Sequence, residues 1–235
     1  VESEILDLQQ VASLLQRDAR EISKLATRGH LPGQKIGGEW RFASIEIQHW
    51  VEKELANYSA EELSSFESGV GNGRLDRELL ITPLLSEACM AVPLTAGTRA
   101  SVLKELITLA EQSWQLYDPE AALEAIRKRE EIGSTAVEGG VAFLHPRRVL
   151  PATVLGESVL AFGRSGRGIP FGAPDGRLTD IFFVVLCSDQ RAHLLVLARL
   201  ARLLLLPDFL AKLRGAETTH ETRLLIEDAE QSLIA

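Results

Sequence analysis

Residues 129–148 read REEIGSTAVEGGVAFLHPRR, and this stretch decides how the larger part of the chain is to be understood. A helical pattern opens at Asp118-Pro119-Glu120, with Asp as cap and Pro in the first helical position, and ends near Arg129-Glu130-Glu131. Gly133-Ser134-Thr135 breaks it and feeds a short apolar strand, GGVAFLH, which stops at Pro146-Arg147-Arg148. A core strand would continue with Val or Ile. Here an ionisable ring, His145, stands at the end, and three roles compete for it: a satisfied structural histidine, a metal ligand, or a nucleophile that carries a group.

Outward from this stretch, helical and strand patterns alternate from about residue 79, as in an α/β domain. RASVLKELITLAEQSW sets Val102, Leu103, Leu106, Ile107 and Ala110 along one helical face. PATVLGESVLAFGRS has strand-like runs, and GIPFGAPDGRLTD is a Gly/Pro-dense loop in which Asp175 is expected to be a turn residue. IFFVVLCS has no polar alternation and predicts a strand buried on both faces. HLLVLARLARLLLLPDFL is interrupted by Arg199, Arg202 and Pro207. It therefore lacks the roughly 20 uninterrupted apolar residues of a membrane span and predicts a buried helix. His220, in THETRLLIED, is expected near a surface helix start.

The metal role finds little support. The five histidines, 30, 49, 145, 193 and 220, form no HxxxH or HxH pair, and neither Cys89 nor Cys187 lies near one. Zinc needs three or four ligands, so no metal and no cofactor are expected. The two cysteines sit in apolar runs as small buried hydrophobes, which fits a reducing cytoplasm. A nucleophile fits better. His145 ends a strand where α/β sheets expose their functional edge, and Arg147 and Arg148 could attract an anion. A neutral imidazole can accept a phosphoryl group, whose transition state needs mainly positioning and positive charge.

The segment REEIGSTAVEGGVAFLHPR resembles the active-site region of type-2 EIIA domains of the bacterial phosphotransferase system, the fructose/mannitol and nitrogen-regulatory kinds. The resemblance spans about residues 79–233, including FGAPDG, DIFF and DQRAHLLVLARL, and His145 falls ten residues after the Thr135 of the motif. It implies a mixed sheet flanked by helices. It implies that His145 receives phosphate from an HPr-type phosphocarrier protein, that Arg129 supports the site, and that His193 stands beside it. Ser134, Thr135 and Arg147 are expected to support the phosphate. One feature departs from the family: Leu144 occupies the position before the histidine that is usually proline, and Pro146 follows.

The first 56 residues form a second unit. Leu8, Val11, Ala12 and Leu15 fall at helical spacing with Asp7 as expected cap, and REISKLATRG gives a second helix stopped at Gly29. HLPGQKIGGEWRF predicts a β-hairpin wing, and SIEIQHWVEKEL a third helix capped by Ser44. VASLLQ, RGHLPGQKIGGEWRF and the tryptophan of IQHWV resemble the excisionase-type, MerR-like winged helix-turn-helix modules. That resemblance implies a second helix in the major groove and a wing on phosphates. Between residues 17 and 41 six basic residues face three acidic ones, and Arg17, Arg20, Lys24, Arg28, Lys35 and Arg41 are the expected DNA contacts. A solvated face on a module kept for protein contacts is the alternative.

The expected organisation is therefore a winged helix-turn-helix over 1–56, a Ser/Glu/Gly-rich linker over 57–78 with room for a helical turn at SAEELSSF, and an EIIA-like α/β phosphocarrier over 79–235. A net charge of −8 argues against general nucleic-acid coating. The expected partners are an HPr-type carrier, double-stranded DNA, regulatory target proteins and a second copy of the chain, without membrane insertion. The alternatives are a protein-binding adaptor with a degenerate, non-phosphorylated EIIA domain, or a soluble EIIA component of a sugar permease. Phosphate added near Arg129, Arg147 and Arg148 is expected to change how the two units dock.

Overall fold

A computed structural model describes residues 5–15, 17–71, 78 and 80–234. The chain opens with β1 (Ile5–Asp7), α1 (Leu8–Leu15) and α2 (Ala19–Thr27), followed by β2 (Gln34–Ile36), β3 (Glu39–Ala43) and α3 (Ser44–Leu55). Asp7 and Gln10 exchange side-chain-to-backbone hydrogen bonds of 2.8 Å each way, capping α1 reciprocally. Asp18 caps α2, and Gly29 follows that helix with φ of 72°, a left-handed turn that favours glycine. The wing is the β2–β3 hairpin. Its turn, Gly37-Gly38, has φ of 61° and 90°, the geometry of a tight hairpin that side-chain-bearing residues resist. β1 pairs antiparallel with the other edge of β3, giving the order β1-β3-β2.

Two expectations are corrected here. The stretch 57–78, expected as a linker, carries α4 (Ala60–Gly71), with Leu63, Phe66 and Val70 buried against α1 and the later helix α7. The spacing of those three apolar residues outweighs the Ser/Glu composition around them. Residues 72–77 lie outside the described residues. Ser44 does not cap α3: its Oγ donates instead to Gln190 Oε1 at 3.0 Å, and Ala43 holds the cap position without a side-chain bond.

Beyond short 3₁₀ turns at Thr82–Leu84 and Glu87–Cys89 come β4 (Met90–Leu94), α5 (Arg99–Glu111) and α6 (Pro119–Ile132). These are followed by β5 (Ala136–Val137), β6 (Val141–Leu144), β7 (Val159–Ile169), β8 (Thr179–Leu186), α7 (Gln190–Leu204), α8 (Phe209–Gly215) and α9 (Thr219–Ile234). Five strands form a mixed sheet in the order β4-β7-β8-β6-β5, with β6 parallel to β8 and β7 antiparallel to it. The architecture is α/β, as the alternating pattern predicts.

The unbroken apolar run of β8 has a simple cause. Ile181, Phe183 and Val185 face one core cluster while Phe182, Val184 and Leu186 face the other, because successive strand residues point to opposite sides. In β6 Val141 and Phe143 share the first cluster, and Ala142 and Leu144 the second. Strand parity therefore sends the next side chain, His145, toward the first face. That face is covered by α7, and its cluster runs on through α4 into Val11, Ile22, Phe42 and Ile47 of the N-terminal elements. Among the described residues, no helix is long and apolar enough to cross a membrane.

Candidate functional site

The C-terminal ends of the parallel strands β6 and β8 lie side by side, with Leu144 opposite Val184. The first delivers His145. The second leads through Asp189, whose carboxylate accepts from Ala192 N–H and caps α7, to His193 in the first turn of that helix. The two imidazoles approach to 4.9 Å between ring centroids, tilted by 59°. Arg129, near the end of α6, donates from Nη1 to the Gly133 carbonyl at 3.0 Å, which holds its guanidinium against the turn that feeds β5. All three residues are buried, His145 and His193 each 3% exposed.

Hydrogen bonding fixes which nitrogen of His145 can react. Its Nδ1 lies 2.6 Å from the Phe143 carbonyl, and since a carbonyl only accepts, Nδ1 carries the proton. In its neutral form a ring with that tautomer has its lone pair at Nε2. Among the described residues that nitrogen is buried with no hydrogen-bond partner, as is Arg129 Nε. Nε2 is thus held in place without a hydrogen bond of its own.

A residue that no motif in the sequence marks fills the space in front of it. Glu52, projecting from α3, places its carboxylate between the two rings. Oε1 accepts from His193 Nε2 at 3.0 Å and from Gln48 Nε2 at 3.1 Å. Oε2 stands 3.3 Å from His145 Nε2 and 3.6 Å from Arg129 Nη2, with His49 Nδ1 at 3.5 Å. The contact to His145 has the distance of an ion pair without the angle of a hydrogen bond. Burial, the largest influence on Glu52, pushes its carboxyl up, but contact with His145 and His193 outweighs it and holds the group below the ordinary carboxylate range. Burial holds His193 below its usual value, aided by His145 and Arg129 and opposed by Glu52. His49 is likewise lowered, first by burial and then by Arg129.

The ligand atoms of Glu52, His145 and His193 lie within 4.8 Å of one another, a spacing a metal ion could bridge. Arg129 weighs against that use. A guanidinium within 3.6 Å of the same carboxylate suits an anion and repels a cation. Arg129 and His193 already hold one anion, the Glu52 carboxylate, beside His145 Nε2.

The other expected site residues have partners outside this cluster or face solvent. Ser134 donates to the Phe171 carbonyl and accepts from Ala136 N–H, and Thr135 gives both its hydroxyl and its N–H to Glu130. The phosphate-supporting role expected of these two hydroxyls is therefore not the one they have here: they pin the loop that precedes the strand. Arg147 is exposed beyond the strand end. Asp175 accepts from Gly139 and Arg177 N–H as a turn residue, and His220 pairs with Glu87 on the surface.

On the helix-turn-helix, Arg20 and Lys24 on the exposed face of α2 and Arg28 at its C-cap recur at a four-residue spacing, opposite buried Ile22 and Ala26. None of the three has an ion pair among the described residues. Lys35 is exposed on the wing, 6.0 Å over the Trp40 ring. Arg17 and Arg41 are partly engaged, with Glu21 and Glu39 respectively, each near 2.8 Å.

Comparison with known proteins finds a family match for each part of the chain. The family described as phosphoenolpyruvate-dependent sugar phosphotransferase system, EIIA 2, matches residues 83–229, and a helix-turn-helix domain matches residues 5–54. A nitrogen regulatory protein of Bradyrhizobium diazoefficiens is 33% identical over 139 residues, 58% of this chain and 87% of that protein. The fructose-specific EIIABC component of Bacillus subtilis is 29% identical over 140 residues, 59% of this chain but only 21% of that much longer protein. Among solved structures, nitrogen regulatory protein IIA-Ntr from Neisseria meningitidis superposes with a TM-score of 0.57 at 24% identity, covering 63% of this chain and 99% of that one. IIA mannitol from Escherichia coli gives 0.53 at 16%, covering 60% and 97%. At such identities the structural likeness is one of fold.

Proposed function

The chain belongs to the EIIA 2 family of the phosphoenolpyruvate-dependent sugar phosphotransferase system, carries an N-terminal helix-turn-helix domain, and we propose that it is a phosphorylation-responsive, DNA-binding regulator of the nitrogen-regulatory kind. Its phosphocarrier unit occupies 79–235 and its DNA-binding unit 1–56, with α4 of the intervening 57–78 serving as a bracket between them. The single observation that carries the proposal is the uncommitted Nε2 of His145, oriented by the Phe143 carbonyl and faced by His193 and Arg129.

In the proposed reaction an HPr-type carrier brings a phosphohistidine. The Nε2 lone pair of His145 attacks phosphorus, the bond from phosphorus to the carrier's nitrogen breaks, and its electron pair returns to the carrier's imidazole. Arg129 and the Nε2–H of His193 neutralise the oxygens of the transferred group, while the Phe143 carbonyl stabilises positive charge on the attacking ring. Leu144 in place of the usual proline leaves this arrangement untouched, because the ring is held by its own hydrogen bond.

For DNA the expected contacts are Arg20, Lys24 and Arg28 of α2 and Lys35 of the wing, with Arg17 and Arg41 in support once released from their glutamates. The first test is intact mass after incubation with phosphoenolpyruvate, enzyme I and an HPr-type carrier. One phosphoryl addition is expected, absent from His145→Ala. No addition to any variant that exposes His145 would instead favour a protein-binding adaptor, and onward transfer to an EIIB cysteine would favour a permease component. Duplex DNA binding that weakens steeply with salt, and weakens further in Lys24→Ala, is the expected companion result.

A further inference from the structure

We propose that Glu52 is an internal stand-in for the phosphoryl group, so that docking of the helix-turn-helix on the EIIA unit and phosphorylation of His145 exclude one another. The proposal rests on the reading of His145 as a phosphoryl acceptor.

Three observations carry it. The first is position. Glu52 Oε2 lies 3.3 Å in front of His145 Nε2, and a phosphorus bonded to that nitrogen would bring its oxygens into the space the carboxylate fills. The second is chemistry. The groups that would bind a phosphoryl dianion, His193 Nε2–H and the Arg129 guanidinium, are the groups that hold the Glu52 carboxylate, at 3.0 and 3.6 Å. A planar anion has taken the receptor of a tetrahedral one, with Gln48 steadying it from one helical turn away at 3.1 Å.

The third is access. With α3 in place His145 is 3% exposed and the Glu52 side chain 6%, so no carrier can bring a phosphorus to Nε2. Transfer must therefore pass through a state in which α3 has withdrawn. Once phosphate is attached, the returning carboxylate would meet like charge in a buried site, and redocking is opposed.

What withdraws is defined by the packing. α3 touches α7 through Ser44–Gln190 and through the Glu52 cluster, whereas α4 is fixed to α7 separately by Leu63, Phe66 and Val70 and by Glu67 with Arg199 and Arg202. Trp50 Nε1 donates to the His30 carbonyl at 2.6 Å, tying α3 to the segment after α2. Withdrawal of the helix-turn-helix as a body also parts α1 from α4, while α4 stays on α7. Arg20, Lys24 and Arg28 are already exposed in the docked state, so phosphorylation changes the module's freedom to orient and does not uncover its basic face.

The test compares the full chain with Glu52→Gln, which keeps the shape and loses the charge, and Glu52→Ala, which removes both. Phosphorylation rate is read by mass, and hydrogen exchange is followed over residues 44–55. The gated fraction sets the apparent rate, so Glu52→Ala is expected to accept phosphate about tenfold faster or more, with Glu52→Gln between it and the parent. Exchange over 44–55 should rise in Glu52→Ala before any phosphate is added, and in the parent chain only after it. Equal rates with unchanged exchange in all three proteins, or a slower rate without the carboxylate, would overturn the exclusion while leaving His145 an acceptor. Absence of phosphate from Glu52→Ala as well would overturn the acceptor reading itself. One zinc ion per chain in native mass spectra, lost in Glu52→Gln, would overturn both in favour of a metal centre.

Discussion

Glu230 and Glu52 are both buried glutamates, and their surroundings could hardly differ more. Glu230, on α9, accepts from the backbone N–H groups of Leu80, Ile81 and Thr82, from the Thr82 hydroxyl and from Arg199, at 2.6 to 3.2 Å. Every donor there is fixed by the backbone or by a second ion pair. Glu52 has two hydrogen bonds, and the remaining approaches are off-axis or long. Around it His145 Nε2, Arg129 Nε and Gln48 Oε1 stay buried without hydrogen-bond partners among the described residues. A carboxylate that satisfies its surroundings is structural. One that leaves orphaned groups behind occupies a place shaped for something else.

The largest expected effect breaks the structural member of the pair. Glu230→Ala strands three backbone donors and a buried guanidinium, and should cost about 3–5 kcal/mol, read as a collapse of the urea midpoint. The same substitution at Glu52 should cost at most about 2 kcal/mol, because only His193 and Gln48 lose a hydrogen bond and Arg129 keeps the Gly133 carbonyl. Comparable losses at both positions would erase the distinction.

Acidification sharpens it. His193 is held below its ordinary value of 6.5, so the unfolded chain binds the extra proton as pH falls below that value, and stability declines. Glu52 is held below its ordinary value of 4.5; its contribution is present above that value and is lost as pH falls toward the depressed one. Urea midpoints should therefore fall in two stages, beginning near 6.5 and again below 4.5, and Glu52→Gln should shrink the second. The smallest effect is expected from Gln48→Ala, which removes one hydrogen bond to Glu52. It should cost about 0.5–1 kcal/mol and quicken phosphorylation by only a few-fold.

Much of this was legible in the sequence, for identifiable reasons. The helix cap at Asp7, the Gly37-Gly38 wing and the doubly buried β8 each follow from local chemistry, and strand parity carries His145 to the α7 face. Its meeting with His193 and Arg129 was implied by the motif rather than by any local rule. The helix at 60–71 is legible only as a turn at SAEELSSF, because Ser and Glu dominate the composition, although Leu63, Phe66 and Val70 hold the helical period. Ser44 and Glu52 lay beyond reach for a different reason. Their partners, Gln190, His145 and His193, are about a hundred residues or more away in sequence, and no local pattern encodes a contact made only when two units meet.

The clamp of α4 on α7 has one more consequence. Because Glu67, held by Arg199 and Arg202, anchors the chain four residues before α4 ends and only a short turn joins α4 to α3, a withdrawn helix-turn-helix remains beside its own site. Its local concentration stays on the order of millimolar whatever the amount of protein in solution. The proportion of closed to open molecules is then indifferent to dilution. A carrier competing for His145 works against a fixed opponent, and the threshold it must exceed is written into the tether rather than into the copy number of the chain.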